Sequence, residues 1–165
     1  MAGLTRDEDT VIDGTSLKRE HIAAILGRVH SEALVSGPLL LCFLTGDADA
    51  CCEPMPRDPM PASGAPFGKD FPDQLRSALA LNPAVHDGAI LLRRPHLAAP
   101  YVIDGWSYRL MAPRPENLEG ATNRGSAYNS CLATSSRAGV DIVVLQTRGR
   151  MMFFMNGADR DPFEV

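Results

Sequence analysis

The sequence predicts a single α/β domain in which helices flank a central mixed β-sheet. Segments with helical periodicity alternate with short apolar segments of strand length, and no repeat recurs along the chain. A length of 165 residues and a hydrophobic fraction of 45% suit one domain with its own apolar core. We assign residues 16–165 to this domain and residues 1–15, which are polar and acidic, to a flexible lead-in.

Three segments carry the signals of helices. In the first, apolar residues recur at helical spacing from Ser16 until Gly37-Pro38 ends the pattern. The second covers residues 72–81, where an apolar side is followed by an Asn-Pro stop. The third is expected over residues 124–137, with a glycine two residues later as its C-terminal signal.

Four apolar segments have the length and composition of strands. They cover residues 39–45, 89–92, 140–146 and 151–155. The last two flank a short turn and are expected to pair. Asp104-Gly105 also lies between two strand-like segments, so we predict a hairpin there.

The segment from Gly46 to Pro66 is rich in proline, with scattered Asp, Gly and Ser. Because proline lacks a backbone N–H and restricts the residue before it, this composition opposes regular structure. We therefore predict one long irregular loop over residues 46–66, and it is our candidate contact for a partner protein.

Charge and composition exclude several classes of partner. The net charge of -4 gives no general reason to bind DNA, and no apolar segment approaches the roughly 18 residues that cross a bilayer. The N-terminus does not resemble a signal peptide, so the expected location is the cytoplasm. The four cysteines show no CxxC spacing, which favours reduced thiols.

The motif HDGA, residues 86–89, lies directly before a predicted strand. Asp87 supplies a carboxylate there, and Gly88 permits a close approach of the backbone. This pair suits a divalent cation, or a ribose or phosphate held against backbone N–H groups. The alternative is an ordinary Asp-Gly turn, which the local sequence alone favours.

A second candidate is GATNRGSA, residues 120–127, at the start of the third predicted helix. Its small residues would expose backbone N–H groups, and Arg124 adds a fixed positive charge that could receive phosphate oxygens. It is neither a Walker A loop nor a GxGxxG fingerprint, so a solvated connector is the alternative. His30, His96, Cys51 and Cys52 lack the spacing of metal ligands.

The order of these segments resembles the diadenylate cyclase domain. HDGA leads into an apolar strand, a Gly-Ala-Thr-x-Arg element opens a helix, and the strand DIVVLQ turns at TRGR; the resemblance covers about residues 73–157. Members of that family join two ATP molecules into cyclic di-AMP across a face-to-face dimer. Their signatures are Asp-Gly-Ala and Gly-Thr-Arg-His-Arg.

The first signature is intact, since Asp87, Gly88 and Ala89 match it. The resemblance implies that these residues and His86 lie at the nucleotide, with Asp87 near a metal ion and the ribose 3′-hydroxyl. The second signature is altered, because Thr122 is kept while Asn123, Arg124 and Gly125 replace the Arg, His and Arg positions. The strand that ends in Ser-Glu-Glu in the family ends here in Leu-Gln-Thr, residues 145–147.

Each lost electrostatic group is expected to slow phosphoryl transfer by roughly 10² to 10³. The resemblance therefore implies a sensor-like domain of bacterial signalling that binds ATP or a cyclic dinucleotide with weak or no cyclase activity. The phosphates would be held by Thr122, Asn123, Arg124, Gly125 and Ser126. Mg²⁺ or Mn²⁺ could accompany the nucleotide, with Asp87 as the metal ligand.

Two alternatives remain open. An active but divergent cyclase would use Asp87 as its catalytic residue and Arg124, with Arg148 or Arg150, in place of the missing basic groups. A protein-interaction module would retain only the fold. A second copy of the chain and an effector protein are further candidate partners, whereas DNA and membranes are not expected.

Overall fold

A seven-stranded mixed sheet forms the centre of the computed structural model, which describes residues 16–48, 52–116 and 124–160. Its strands are β1 (Leu39–Thr45), β2 (Cys52–Pro54), β3 (Ala89–Arg94), β4 (Val102–Leu110), β5 (Val140–Gln146), β6 (Met151–Met155) and β7 (Ala158–Arg160). They lie in the order β2-β4-β3-β1-β5-β6-β7. β1 and β3 are parallel, and the other neighbours are antiparallel. The predicted mixed sheet is thus confirmed.

Helices cover both faces of the sheet. They are α1 (Ser16–Ser31), α2 (Phe71–Leu81) and α3 (Ser126–Ser135), and a short 3-10 helix spans Pro83–His86. One face packs its buried side chains against α1 and α2, and the other packs against α3. None of the helices in the described part of the chain is long and apolar enough to cross a membrane.

The first and third helices are shorter than predicted, and the backbone gives the reasons. α1 ends at Ser31, and Ala33 has a positive φ of 49° that no α-helix accepts. α3 starts at Ser126 because Gly125 has a φ of 90° and a ψ of 161°, a conformation that is essentially restricted to glycine. The predicted lead-in, residues 1–15, lies outside the described residues.

β1 shows why a continuous apolar segment makes a central strand. Phe43 belongs to the core under α1 and α2, whereas Cys42 and Leu44 belong to the core under α3. Since both faces are covered, each successive side chain must be apolar. The observed bounds of β1, β5 and β6 agree with the predicted segments.

Cys42, Cys52 and Cys131 are free thiols, and burial raises the pKa of Cys131 to about 12.

The hairpin predicted at Asp104-Gly105 is wrong. β4 runs through this dipeptide without turning, because it pairs with β3 on one side and with β2 on the other. The register with β3 shifts twice, and Ser107 takes a positive φ of 63° within the strand. The Asp-Gly dipeptide therefore lies in an irregular strand, where long-range pairing outweighs local turn propensity.

The prediction of an irregular loop over residues 46–66 is also wrong in part, because β2 lies within it. β2 adds to the edge of the sheet, with Pro54 opposite Tyr108. Proline is tolerated there because the outer side of an edge strand needs no N–H donor. Later in the same segment, Gly64 N donates to Ile103 O at 2.7 Å, which ties the segment again to β4. β7 was not predicted, and it forms a hairpin with β6 across Asn156-Gly157, where both residues have positive φ as in a type I′ turn.

An ion pair between a buried arginine and a partly buried aspartate joins the C-terminal ends of β1 and β3 to the start of β5. Arg94 is buried, and its Nη2 lies 3.3 Å from Asp141 Oδ2. The same carboxylate oxygen accepts hydrogen bonds from Thr45 Oγ1 and Tyr101 OH, each at 2.5 Å. Arg94 Nη1 also donates to Leu97 O at 2.8 Å. These bonds satisfy charges that would otherwise be costly to bury.

Removing the carboxylate of this pair should destabilise the fold. In Asp141→Ala, Arg94 stays buried without its anion, so the free energy of unfolding should fall by about 3–5 kcal/mol in urea denaturation. Asp104→Ala is the matched control, because Asp104 pairs with the more exposed Arg93 at 2.9 Å and should cost less than about 1 kcal/mol. Equal losses in the two variants would contradict this role for Asp141.

Tyr101 should make the free energy of unfolding decrease as the pH rises into the alkaline range. Burial, together with the hydrogen bond to Asp141, raises the pKa of Tyr101 well above its ordinary value. The unfolded chain loses this proton at about pH 10 while the folded chain keeps it, so stability should fall above that pH by about 1.4 kcal/mol per unit. In urea unfolding, the free energy of unfolding of Tyr101→Phe should decline less steeply above about pH 10 than that of the parent chain. Equal slopes in the two chains would argue against this role of Tyr101.

Candidate functional site

The HDGA segment occupies the connection between the 3-10 helix and β3. His86 ends the helix, and Asp87 follows as its C-cap, with its backbone N donating to Ala84 O at 3.1 Å. Ala89 is buried as the first residue of β3. The side chain of Asp87 is 57% exposed, so its carboxylate is accessible from solvent while its backbone is held on both sides.

Gly88 is required by the packing of the protein on itself. A Cβ at this position would lie 2.8 Å from Tyr108 N and 2.9 Å from Ser107 C, both of them backbone atoms of β4, and would also overlap Met55 Cε. The glycine predicted to allow a close approach therefore does so, but the neighbour that approaches is β4. This contact fixes the position of Asp87 relative to the sheet.

Arg57 is the cation beside Asp87, and its Nη2 lies 3.8 Å from Asp87 Oδ2. Its Nε donates to Ser107 Oγ at 2.9 Å, and its side chain is only 21% exposed. On the other side of the carboxylate, His86 Nε2 lies 3.6 Å from Asp87 Oδ1. Asp87 thus lies between an imidazole and a guanidinium that is always charged.

The second candidate segment is described only from Arg124 onward, so the predicted roles of Thr122 and Asn123 fall outside the described residues. Arg124 Nη1 lies 3.9 Å from Asp159 Oδ2, and its guanidinium lies 5.2 Å from the centre of the Tyr128 ring. Gly125 is the N-cap of α3 and Ser126 is its first residue, without a side-chain cap. Arg124 therefore already has an acidic partner on β7, although its side chain is 57% exposed.

The two candidate segments lie toward the same end of the strands, but Asp87 precedes β3 whereas Arg124 pairs with Asp159 on the edge strand β7, four positions from β3 in the strand order. β3 begins at Ala89, which pairs with Leu40 near the start of β1. α3 packs along β5 and leads into Val140, which pairs with Leu44 at the opposite end of β1. The start of α3 is therefore directed toward the end where β3 begins. The turn after β5, which carries Arg148 and Arg150, lies at that end too.

The described residues do not form a metal site made of protein side chains alone. No group of three or more His, Cys, Asp or Glu residues in the described part of the chain could hold a metal ion. Gln146, which the sequence analysis matched to a glutamate of the resembling family, is 6% exposed, and its Nε2 donates to Leu26 O at 3.2 Å. The neutral side chain of Gln146 is thus held beneath α1, and the cation nearest to Asp87 is Arg57.

Arg57, Met55 and Ser107 are residues of this site that sequence analysis missed. Met55 N donates to Ser107 O at 2.8 Å, so the Pro-rich segment is bonded to β4 beside HDGA. One signal was present, because Arg57 is the single basic residue between Gly46 and Pro66. Its partner Asp87 is 30 residues away, and only the sheet brings the two together.

The architecture defines an α/β domain with one parallel pair in a mixed sheet, and comparison with solved structures finds a similar fold. The chain is similar to the crystal structure of a double mutant of DacA from Staphylococcus aureus, with a TM-score of 0.52 and 12% sequence identity. The match covers 88% of this chain and 86% of that chain. No protein-family model and no curated protein matches the sequence. At this identity the similarity shows the fold, and the predicted diadenylate-cyclase-like fold class is confirmed.

Substituting Gly88 should test the close contact with β4. Gly88→Ala places a methyl group against backbone atoms that cannot rotate away, so the free energy of unfolding should fall by about 1–3 kcal/mol in urea denaturation. Gly27→Ala is the matched control, because Gly27 lies in α1 and a Cβ there meets nothing within 4 Å. That variant should gain about 0.5–1 kcal/mol, and a neutral Gly88→Ala would refute the contact.

Proposed function

We propose that this chain is a sensor-like domain that binds an adenine nucleotide, either ATP or a cyclic dinucleotide, with weak or no cyclase activity. The nucleotide would bind at the end of the sheet where β3 begins. The observation that carries the proposal is the exposed carboxylate of Asp87 between His86 and Arg57, at the start of β3 in a DacA-like fold. A carboxylate fixed in this way can accept hydrogen bonds from ribose hydroxyls.

Phosphate binding would come from the start of α3 and from arginines. Thr122, Asn123, Gly125 and Ser126 would offer backbone N–H groups or side-chain donors, and Arg124 would contribute charge. The exposed side chain of Arg124 would exchange its long contact with Asp159, 3.9 Å, for a phosphate oxygen. This exchange costs little free energy, because exposed ion pairs contribute little to stability.

The small number of charged groups available to a reacting phosphate supports weak or absent catalysis. Phosphoryl transfer requires charges aimed at the reacting phosphate, and metal ions usually supply part of them. Here Gln146 is neutral and buried, and Arg124 is the one basic residue in the altered second signature. Binding makes a smaller demand than catalysis, since a ligand can be held without stabilising a transition state.

Binding is measured by titration calorimetry with ATP and with cyclic di-AMP. We expect at least one of them to bind the parent chain, and Arg124→Gln to weaken that binding about tenfold, which is typical of a lost hydrogen bond to a charged group. Arg137→Gln is the matched control, because Arg137 is exposed after the end of α3. If neither nucleotide binds at millimolar concentration, the proposed function is wrong.

An active divergent cyclase is the enzyme alternative, with Asp87 as its catalytic residue. Incubation of the pure chain with ATP and Mg²⁺ or Mn²⁺, followed by mass spectrometry, should give little or no cyclic di-AMP. Sustained product that disappears in Asp87→Asn would establish the cyclase instead. The comparison with Asp87→Asn guards against a contaminating enzyme.

An interaction module that retains only the fold is the third possibility. Exposed apolar side chains at Met60, Leu81, Leu97 and Met111 are the features that it would use. In that case nucleotides would not bind, and a second copy of the chain or an effector protein would be the partner. Sedimentation of the chain with and without ATP distinguishes a nucleotide-linked assembly from one that ignores the nucleotide.

A further inference from the structure

Arg57 is held rigidly beside Asp87, although it belongs to a proline-rich segment. Before it, β2 pairs with β4, and Met55 N donates to Ser107 O at 2.8 Å. After it, Asn82 Nδ2 donates to Pro59 O at 3.1 Å. Its own Nε donates to Ser107 Oγ at 2.9 Å, and Ser107 is fully buried. Little conformational freedom is left for this guanidinium to lose when it binds a ligand.

Among the described residues, the hydrogen-bonding capacity of Arg57 is only partly used. Nε is committed to Ser107, and Nη2 lies 3.8 Å from Asp87 Oδ2, which is longer than a good charged hydrogen bond. A guanidinium has five N–H donors arranged to match a phosphate or carboxylate. The Nη groups can therefore bind an anion that approaches Asp87 from solvent.

The local charge balance needs such a cation if a nucleotide binds here. A phosphate close to the Asp87 carboxylate is repelled unless positive charge lies between or beside them. A divalent cation commonly fills this role, but the charged neighbours that the described residues place at Asp87 are His86 and Arg57, and a bound cation would compete with the guanidinium for the same carboxylate. The guanidinium of Arg57 lies at the carboxylate oxygen where that charge is needed.

We propose that Arg57 takes the place of a divalent cation beside Asp87, so that the nucleotide phosphate binds to the guanidinium without Mg²⁺ or Mn²⁺. This inference rests on the proposed function and specifies how its site handles charge. It also gives the Pro-rich segment a role, because the anchors on both sides of Arg57 position one fixed cation. Arg57 is a ligand-binding residue in this account, and no chemical step depends on it.

The test is calorimetry with ATP and cyclic di-AMP, performed once with EDTA and once with millimolar Mg²⁺. For the parent chain, we expect the dissociation constants in the two buffers to agree within about twofold. In EDTA, Arg57→Gln should weaken binding about tenfold or more, as for a lost charged hydrogen bond. Arg57→Lys keeps the charge without the planar guanidinium, so its dissociation constant should lie between those of the parent chain and Arg57→Gln. Arg137→Gln should match the parent chain.

The outcomes separate this inference from the proposed function. Nucleotide that binds in Mg²⁺ but not in EDTA would overturn the inference and leave the proposed function standing, as would Arg57→Gln with unchanged affinity. No binding in either buffer would overturn both. The comparison of buffers uses the parent chain alone, so a requirement for Mg²⁺ would refute the inference even if Arg57→Gln does not fold.

Discussion

The close approach of Gly88 to the backbone of β4 is the contact on which the candidate site depends. With no Cβ between them, the start of β3 and the irregular part of β4 lie side by side. Ser107, in its positive-φ conformation, then receives Met55 N on its carbonyl and Arg57 Nε on its hydroxyl. The position of Asp87 and the position of its neighbouring cation thus follow from one backbone contact.

The parts of the fold that sequence predicted well are those whose signal is local. β1, β5 and β6 are apolar segments covered on both sides, and their bounds could be found from composition alone. The failures at Asp104-Gly105 and at β2 have the same physical origin. Pairing of β4 with β3 decided the conformation in the first case and pairing of β2 with β4 decided it in the second, whereas local propensity predicted a turn and a loop.

The candidate site divides in the same way. HDGA was found because its residue types and its position before a strand indicate chemistry, and the segment lies where it was predicted, before β3. Arg57 was not found, since no local sequence pattern around residue 57 indicates that it lies beside Asp87 in the fold. Sequence analysis also could not predict why position 88 is glycine. A glycine is equally suited to the close approach of a neighbouring strand and to that of a ligand, and here the neighbour is β4.

Gln146 has a consequence for what an acidic residue at its position would cost the fold. Its amide donates to Leu26 O beneath α1, so the side chain contributes to the packing of a helix on the sheet. A glutamate there would bring a buried anion against a carbonyl oxygen and would need either protonation or movement of α1. Placing an acidic residue at position 146 by one substitution would therefore penalise the fold. The packing of α1 on the sheet favours a neutral side chain there.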